Sequence, residues 1–258
     1  MQLTTSRAVA LAMCAALASA ASAAGTPTAQ SIEAAVPGIK VQAVAAVPAS
    51  PGLYEVISMD GQFLYVDASL RFAIAGEMFD LATRTSVSKE NLARLRAVEF
   101  GSLPLELAIK RVKGNGSRRV AVFADPDCPY CAKLEESLRP IDNVTIYTFV
   151  YPLDELHPQA VERANAIWCA QDRDAAWLGW LLEKKAASPA PVGCSAPVKR
   201  IAETAAAVGA EGTPSLVFGS GRVAHGALPG EMLVRFLDEP RLQARKESQT
   251  TTGKAVGR

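Results

Sequence analysis

Residues 120–131 read VAVFADPDCPYC, an apolar run followed by a turn and by two cysteines that are two residues apart. The uninterrupted run at 120–123 is typical of a strand that is buried on both faces. Leu134 and Leu138 then follow at helical spacing, so a helix is predicted to begin at the first cysteine, Cys128. The stretch therefore predicts an alternating α/β domain with a Cys-x-x-Cys motif between a strand and a helix.

The two cysteines of this motif are predicted to differ in reactivity. A thiol at a helix N-terminus faces unpaired N–H groups and the positive end of the helix dipole, and both favour the thiolate. Cys128 occupies that place, whereas Cys131 falls in register with the leucines of the inward face. We therefore expect Cys128 to attack a disulfide and Cys131 to resolve the mixed disulfide that results.

A Cys-x-x-Cys pair has two other interpretations, half of a zinc site or a purely structural disulfide. The zinc site lacks a second such pair, because Cys169 and Cys194 are far apart, and neither His157 nor His225 has zinc-finger spacing. A structural bond within the motif would close a very short loop, which stabilises by only about 2 kcal/mol in the chain-entropy model. Both alternatives stay open on the residues alone, and we predict neither a metal nor an organic cofactor.

The other two cysteines of the predicted mature chain are better suited to a structural disulfide. Cys169 and Cys194 are 25 positions apart, and a bond between them would contribute roughly 3–4 kcal/mol in the same model. Of the three possible pairings, the spacing favours Cys128 with Cys131 and Cys169 with Cys194. The second bond would hold the proline-rich turn 188–193 to a helix.

A second short motif, Gly212-Thr213-Pro214, directly precedes the apolar run Ser215–Phe218. Proline is tolerated as the first residue of a strand, which gives the motif a purely structural interpretation. In the alternative, a cis bond before Pro214 turns the Thr213 backbone toward the active cysteines, where an extended peptide could pair with it. The spacing alone leaves both interpretations open.

The remaining segments differ in pattern and suggest separate domains. Short strands and tight turns within residues 24–85 predict a small antiparallel sheet, whose edges a second copy of the chain could cover. Residues 86–113 predict a helical connector, with a second helix over residues 104–112. Residues 114–240 form the predicted catalytic domain, and residues 241–258 a disordered polar tail.

Residues 1–23 are predicted to be a secretory signal peptide. Arg7 supplies the positive n-region, a short apolar run follows, and Ala-Ser-Ala precedes a predicted cleavage after Ala23. The apolar run is too short for a permanent membrane anchor. Cys14 could suggest a lipoprotein, but Met13 stands where such signals need a small residue. We expect export to an oxidising compartment, where structural disulfides persist.

Composition and charge restrict the partners. The 258 residues are 49% hydrophobic and 21% charged, proportions that suit a globular protein. A formal net charge of +1 gives no electrostatic basis for a nucleic-acid partner. We also expect no stable membrane insertion, because no later segment reaches membrane-spanning length.

Residues 123–131, together with Gly212-Thr213-Pro214, resemble the DsbC/DsbG family of periplasmic disulfide isomerases. The likeness extends upstream to residues 61–66 and 76–80, and downstream to the Leu228-Pro229-Gly230 helix start. It implies a cystatin-like N-terminal dimerisation domain, a helical linker, and an α/β thioredoxin-fold domain with a helical insertion. It also implies a V-shaped homodimer that is re-reduced by a DsbD-like membrane thiol donor.

The resemblance assigns roles to individual residues. It makes Cys128 the nucleophile and Cys131 the resolving thiol. The Pro-Tyr dipeptide between them resembles DsbG, whereas the second cysteine pair resembles the structural disulfide of DsbC, so the preferred substrate stays open. The other residues that it assigns belong to the active-site loops and the structural bond: Pro129, Tyr130, Thr213, Pro214, Cys169 and Cys194.

The predicted function is the isomerisation or reduction of non-native disulfides in misfolded or mis-paired secreted proteins. Two alternatives stay open. One is the reduction of sulfenylated cysteines by the same thiolate attack. The other is a periplasmic holdase chaperone, in which the thiols are secondary.

Overall fold

The computed structural model describes residues 26–48, 50–210 and 212–242. The chain divides after Glu77 into two compact units. The predicted signal peptide and all but two residues of the predicted polar tail lie outside the described residues. Within the described residues, the helices are all too short or too polar to span a bilayer.

The first unit is an antiparallel sheet with one short helix. Its four strands pair in chain order, which confirms the small antiparallel sheet predicted in this region. The helix was not predicted; Thr28 and Ser31 cap its first turn reciprocally, and Ile32 packs against Val56 and Val66 of the sheet. The elements are α1 (Ala29–Ala35), β1 (Val41–Ala46), β2 (Leu53–Ser58), β3 (Phe63–Asp67) and β4 (Ala73–Ala75).

The second unit begins with a small hairpin and a helix. Strands β5 (Phe79–Asp80) and β6 (Thr85–Ser86) pair with each other and lead into α2 (Val87–Leu95). Ser86 caps this helix by accepting a hydrogen bond from the Lys89 N–H. Within the predicted helical connector of residues 86–113, helical structure is therefore confirmed over Val87–Leu95.

The helix predicted over residues 104–112 is wrong. A single 3-10 turn at Leu105–Leu107 is followed by strand β7 (Ile109–Lys113), so the end of the predicted connector belongs to a sheet. Arg111 faces inward on this strand, where its guanidinium binds the buried carboxylate of Glu135 at 2.5 Å, and Val112 faces outward. The hydrophobic pattern was misleading because a charged residue fills the inward position.

A five-stranded sheet forms the centre of the second unit. Besides β7 it contains β8 (Arg118–Ala124), β9 (Val144–Val150), β10 (Ser215–Phe218) and β11 (Val223–His225). The strand order is β11-β10-β8-β9-β7. The two central strands, β8 and β9, run parallel, and the other neighbours are antiparallel. Strands β10 and β11 form the hairpin that closes the sheet.

Helices cover both faces of this sheet. Alternate residues of β8 enter two different cores: Val120 and Val122 pack with Leu134 of the helix after the motif, whereas Phe123 packs with Ile201. The predicted α/β fold class is confirmed. The helices are α3 (Pro129–Leu138), α4 (Ala160–Trp168), α5 (Arg173–Glu183), α6 (Val198–Ala207) and α7 (Gly230–Leu237).

Candidate active site

The Cys-x-x-Cys motif lies where the central strand β8 passes into α3. Cys128 is the N-cap residue of the helix, with an extended backbone, and its N–H donates to the Asp125 carbonyl at 3.2 Å. Pro129 follows as the first helical residue, where a missing N–H costs nothing. This local sequence therefore fixes one sulfur at the N-terminus of the helix and the other, that of Cys131, one turn further on.

Both motif cysteines are free thiols, so the predicted bond between them is not formed. The side chains are nearly inaccessible, with 6% of Cys128 and 1% of Cys131 exposed. The sulfur of Cys128 lies 3.4 Å from the carbonyl oxygen of Thr213. Beside it, the ring of Tyr130 is 62% exposed and provides an apolar surface at the mouth of the site.

The environment of the pair separates the acidities of the two thiols. A hydrogen bond from Cys131 lowers the pKa of Cys128 to about 5. Thr213 and the backbone N–H groups of Cys131 and Tyr130 act in the same direction, while burial opposes them. The same Cys128 contact, reinforced by burial, raises the pKa of Cys131. At neutral pH the arrangement holds a thiolate at Cys128 and a protonated thiol at Cys131.

The Gly212-Thr213-Pro214 motif lies beside this pair. Strand β10 pairs antiparallel with β8, with Ser215 opposite Phe123, so the residues before β10 reach the end of β8 that carries the cysteines. The peptide bond between Thr213 and Pro214 is cis. The sheet register thus brings together all six predicted residues of the two active-site loops: Cys128, Pro129, Tyr130, Cys131, Thr213 and Pro214.

The second cysteine pair is a disulfide. Cys169, the C-cap residue of α4, is bonded to Cys194, with their Cα atoms 6.1 Å apart. The bond joins α4 to the loop that follows α5, in agreement with the pairing that the spacing favoured. Within residues 26–48, 50–210 and 212–242, no group of three or more His, Cys, Asp or Glu side chains is arranged to hold a metal ion.

A buried acidic residue and a histidine complete the site. The carboxylate of Asp125, fully buried, accepts hydrogen bonds from the N–H groups of Asp127 and Leu153, both at 2.6 Å. His157 places its Nδ1 atom 3.1 Å from the same carboxylate. This contact, together with the charges of Asp125, Asp127 and Cys128, raises the pKa of His157.

A second charged contact supports the turn before Cys128. Arg163 of α4 forms an ion pair with the carboxylate of Asp127 and stacks 4.4 Å from the ring centroid of Trp180. The indole N–H of Trp180 donates to the carbonyl of Pro126 at 2.8 Å. Helices α4 and α5 thereby fix the active-site turn from one side.

The sequence alone presented His157 only as a possible zinc ligand and did not join it to Asp125. The signal that could have joined them is the strand order. Parallel strands β8 and β9 end at the same edge of the sheet, Asp125 directly follows β8, and His157 lies in the loop after β9. Their contact becomes predictable once these strands are known to be neighbours.

Comparison with known proteins identifies two family models that together match most of the chain. A disulfide bond isomerase protein N-terminal domain model matches residues 16–93, and a thioredoxin-like domain model matches residues 105–240. The probable thiol:disulfide interchange protein DsbC of Bordetella avium is 41% identical over 186 residues, which cover 72% of this chain and 65% of that protein. Its counterpart in Bordetella pertussis is 39% identical over 196 residues, covering 76% and 68%.

Two further proteins are similar to parts of this chain. The thiol:disulfide interchange protein DsbC of Escherichia coli is 27% identical over 204 residues, which cover 78% of this chain and 83% of that protein. A crystal structure of a disulfide interchange protein from Neisseria gonorrhoeae is 40% identical, covers 53% of this chain and all of its own, and superimposes with a TM-score of 0.47. The matched stretch spans about two thirds of the length of the Bordetella relatives.

Proposed function

Because the chain belongs to the DsbC family of thiol:disulfide interchange proteins, we propose that it isomerises and reduces non-native disulfides of exported proteins through Cys128 and Cys131. One observation carries this proposal: two adjacent thiols at the start of a helix have pKa values displaced in opposite directions. A thiol that is ionised near pH 5 is both available as a nucleophile and stable as a leaving group.

The reaction begins when the thiolate of Cys128 attacks one sulfur of a client disulfide. The client bond breaks, a mixed disulfide forms with Cys128, and the second client sulfur leaves as a thiolate. In isomerisation, a client thiolate later attacks the mixed disulfide and expels Cys128, so no electrons are gained or lost overall. The low pKa of Cys128 favours this expulsion because the departing thiolate is stable.

Reduction uses Cys131 in addition. Its sulfur attacks Cys128 in the mixed disulfide, the client leaves with both sulfurs reduced, and a Cys128–Cys131 disulfide remains. Two electrons have passed to the client, and a thiol donor must return them. We propose a DsbD-like membrane protein as that donor. The raised pKa of Cys131 slows this step, which gives the client time to rearrange.

Client binding at the thiol pair is proposed to use the backbone of Thr213. Its carbonyl oxygen lies 3.4 Å from the Cys128 sulfur, close enough for a client strand to pair beside the reacting atoms. The exposed ring of Tyr130 offers an apolar contact to residues that flank a client cysteine.

The first 85 residues are proposed to supply export and dimerisation. Residues 1–23 would direct the chain to the periplasm, and residues 24–85 would form the dimerisation domain. Strand β4 supports the second proposal, because it is an edge strand whose residues are exposed, with Ile74 63% and its neighbour Phe72 66% accessible. Pairing with a second copy would cover this edge.

Refolding of scrambled ribonuclease tests the proposed function. Cys128→Ser is expected to reduce the recovery of native ribonuclease to that of the buffer, because the attacking sulfur is lost. Cys131→Ser is expected to accumulate mixed disulfides with clients, visible on non-reducing gels, because the thiol that attacks the mixed disulfide and releases the client is lost. Recovery by Cys128→Ser equal to that of the unmodified protein would refute the proposed exchange reaction and favour a holdase.

A further inference from the structure

Asp125 is built into the turn that carries the nucleophile. Its carboxylate binds the N–H groups of Asp127 and Leu153, and its own carbonyl accepts the N–H of Cys128. A carboxylate in the turn that carries a thiolate opposes thiolate formation by Coulomb repulsion, and the burial of Asp125 reduces the screening by water. A positive charge that neutralises this carboxylate would therefore stabilise the thiolate beyond what its hydrogen bonds provide.

His157 is positioned to supply that charge. Its Nδ1 atom is buried, lies 3.1 Å from the Asp125 carboxylate, and has no well-directed hydrogen bond to any group in the described part of the chain. The side chain as a whole is 26% exposed, so the ring can exchange its proton with water. When the ring is protonated, the pair with Asp125 is neutral, and when it is not, one negative charge remains in the turn that leads to Cys128.

Other charged groups near the Asp125–His157 pair are either ion-paired or exposed to solvent. Asp127, in the active-site turn, is paired with Arg163 of α4. Asp154 and Glu155, in the same loop as His157, are exposed to solvent. Among residues 26–48, 50–210 and 212–242, the Cys128 thiolate is the further charge that acts on His157.

We infer that His157 is a positioning residue for disulfide exchange, whose proton neutralises Asp125 and so sets the stability and nucleophilicity of the Cys128 thiolate. The contacts of His157 determine the direction in which its charge changes with pH. The pKa of His157 is raised above its ordinary 6.5, so its positive charge is present below that range and is lost as the pH rises through the raised pKa. Above it, the Cys128 thiolate becomes less stable, a stronger nucleophile and a poorer leaving group.

The measurement is the rate at which iodoacetamide alkylates Cys128 in the reduced full-length protein between pH 4 and 9, with the modified residue located by mass spectrometry. The first rise, near pH 5, reports thiolate formation. A second rise of about threefold is expected above pH 6.5, since one unpaired charge changes a thiol pKa by about one unit and thiolate reactivity follows with a Brønsted coefficient of about 0.4–0.5.

Two substitutions separate charge from packing. His157→Gln should move the first rise to higher pH and abolish the second, because the Asp125 charge is then never neutralised. His157→Lys should leave the first rise near that of the unmodified protein and also abolish the second, because its charge persists throughout. His225→Gln is the control for the other histidine and should retain both rises.

The inference rests on the proposed function of Cys128, but the two fail in different ways. If the unmodified protein did not refold scrambled ribonuclease, the proposed function would be refuted. The pH profile of Cys128 alkylation would still test the role of His157. A second rise that survives in His157→Gln, or a first rise displaced equally by Gln and Lys, would overturn the role of His157 in a protein that is still an active isomerase.

Discussion

The two cysteine pairs of this chain each have a member at a helix terminus, but at opposite ends of their helices. Cys128 is the N-cap residue of α3, and Cys169 is the C-cap residue of α4. At an N-terminus, unpaired N–H groups stabilise a sulfur anion, whereas a C-terminus presents carbonyl oxygens, which do not. The first pair is free and ionisable, and the second is bonded.

The pairs also differ in the length of chain between their members. Cys128 and Cys131 belong to the same helical turn, so a bond between them restricts the unfolded chain little. The Cys169–Cys194 bond closes a loop of 25 residues and restricts it much more. Reactivity at one pair and stability at the other therefore follow from position in the secondary structure.

The largest effect on stability is expected from removing the bonded pair. The Cys169→Ala/Cys194→Ala variant should lose roughly 3–4 kcal/mol in the free energy of unfolding, because the unfolded chain regains the freedom of the closed loop. Urea denaturation monitored by tryptophan fluorescence measures the loss. The alkylation rate of Cys128 in the folded variant should stay unchanged.

The matched control is Cys128→Ala/Cys131→Ala, compared with the reduced protein under conditions that keep the other bond intact. It should change the urea midpoint far less, since no cross-link is removed. Equal midpoint shifts for the two double variants would mean that the pairs do not divide stability and reactivity between them.

A smaller effect is expected at Cys131, on acidity rather than stability. Cys131→Ala should raise the pKa of Cys128 above about 5, because the hydrogen bond from Cys131 is the largest cause of its low value. Cys131→Ser retains a hydroxyl donor and should raise it less. Thiolate absorbance at 240 nm in the reduced variants measures both midpoints, and coincident Ala and Ser midpoints would assign the low pKa to the helix terminus alone.

Local patterns in the sequence were sufficient for the elements that carry this contrast. The apolar run of β8, the helix after it and the closing hairpin each follow from short-range periodicity and turn residues. The same periodicity failed at β7, because the inward position is occupied by Arg111, whose partner Glu135 lies on α3. It also missed α1, a short helix whose buried surface is a single residue, Ile32.

The candidate site likewise has one part that local sequence predicts and one part that depends on the order of the strands. The helix-terminal position of Cys128 is a local property and was predictable. The ion pair of Asp125 with His157 joins residues that follow different strands, so it depends on β8 and β9 being parallel neighbours. A single sequence does not give strand order directly, and His157 was therefore dismissed as a zinc ligand that lacked partners.

The smallest expected effect tests whether the helices that carry the structural bond also support the active-site turn. Trp180 donates its indole N–H to Pro126, and Arg163 stacks on its ring. Trp168, next to Cys169, has Arg173 stacked 3.8 Å from its ring centroid, but its indole N–H makes no hydrogen bond within the described residues. The two sites therefore differ by one hydrogen bond to the turn before Cys128.

Trp180→Phe should cost about 1 kcal/mol more in the free energy of unfolding than Trp168→Phe, because both remove the same atoms and only the first leaves a carbonyl without its donor. The alkylation midpoint of Cys128 should be the same in both, since the lost bond is between neutral groups. Urea midpoints measure the difference. Equal losses would mean that the hydrogen bond from Trp180 of α5 adds nothing to the stability of the turn.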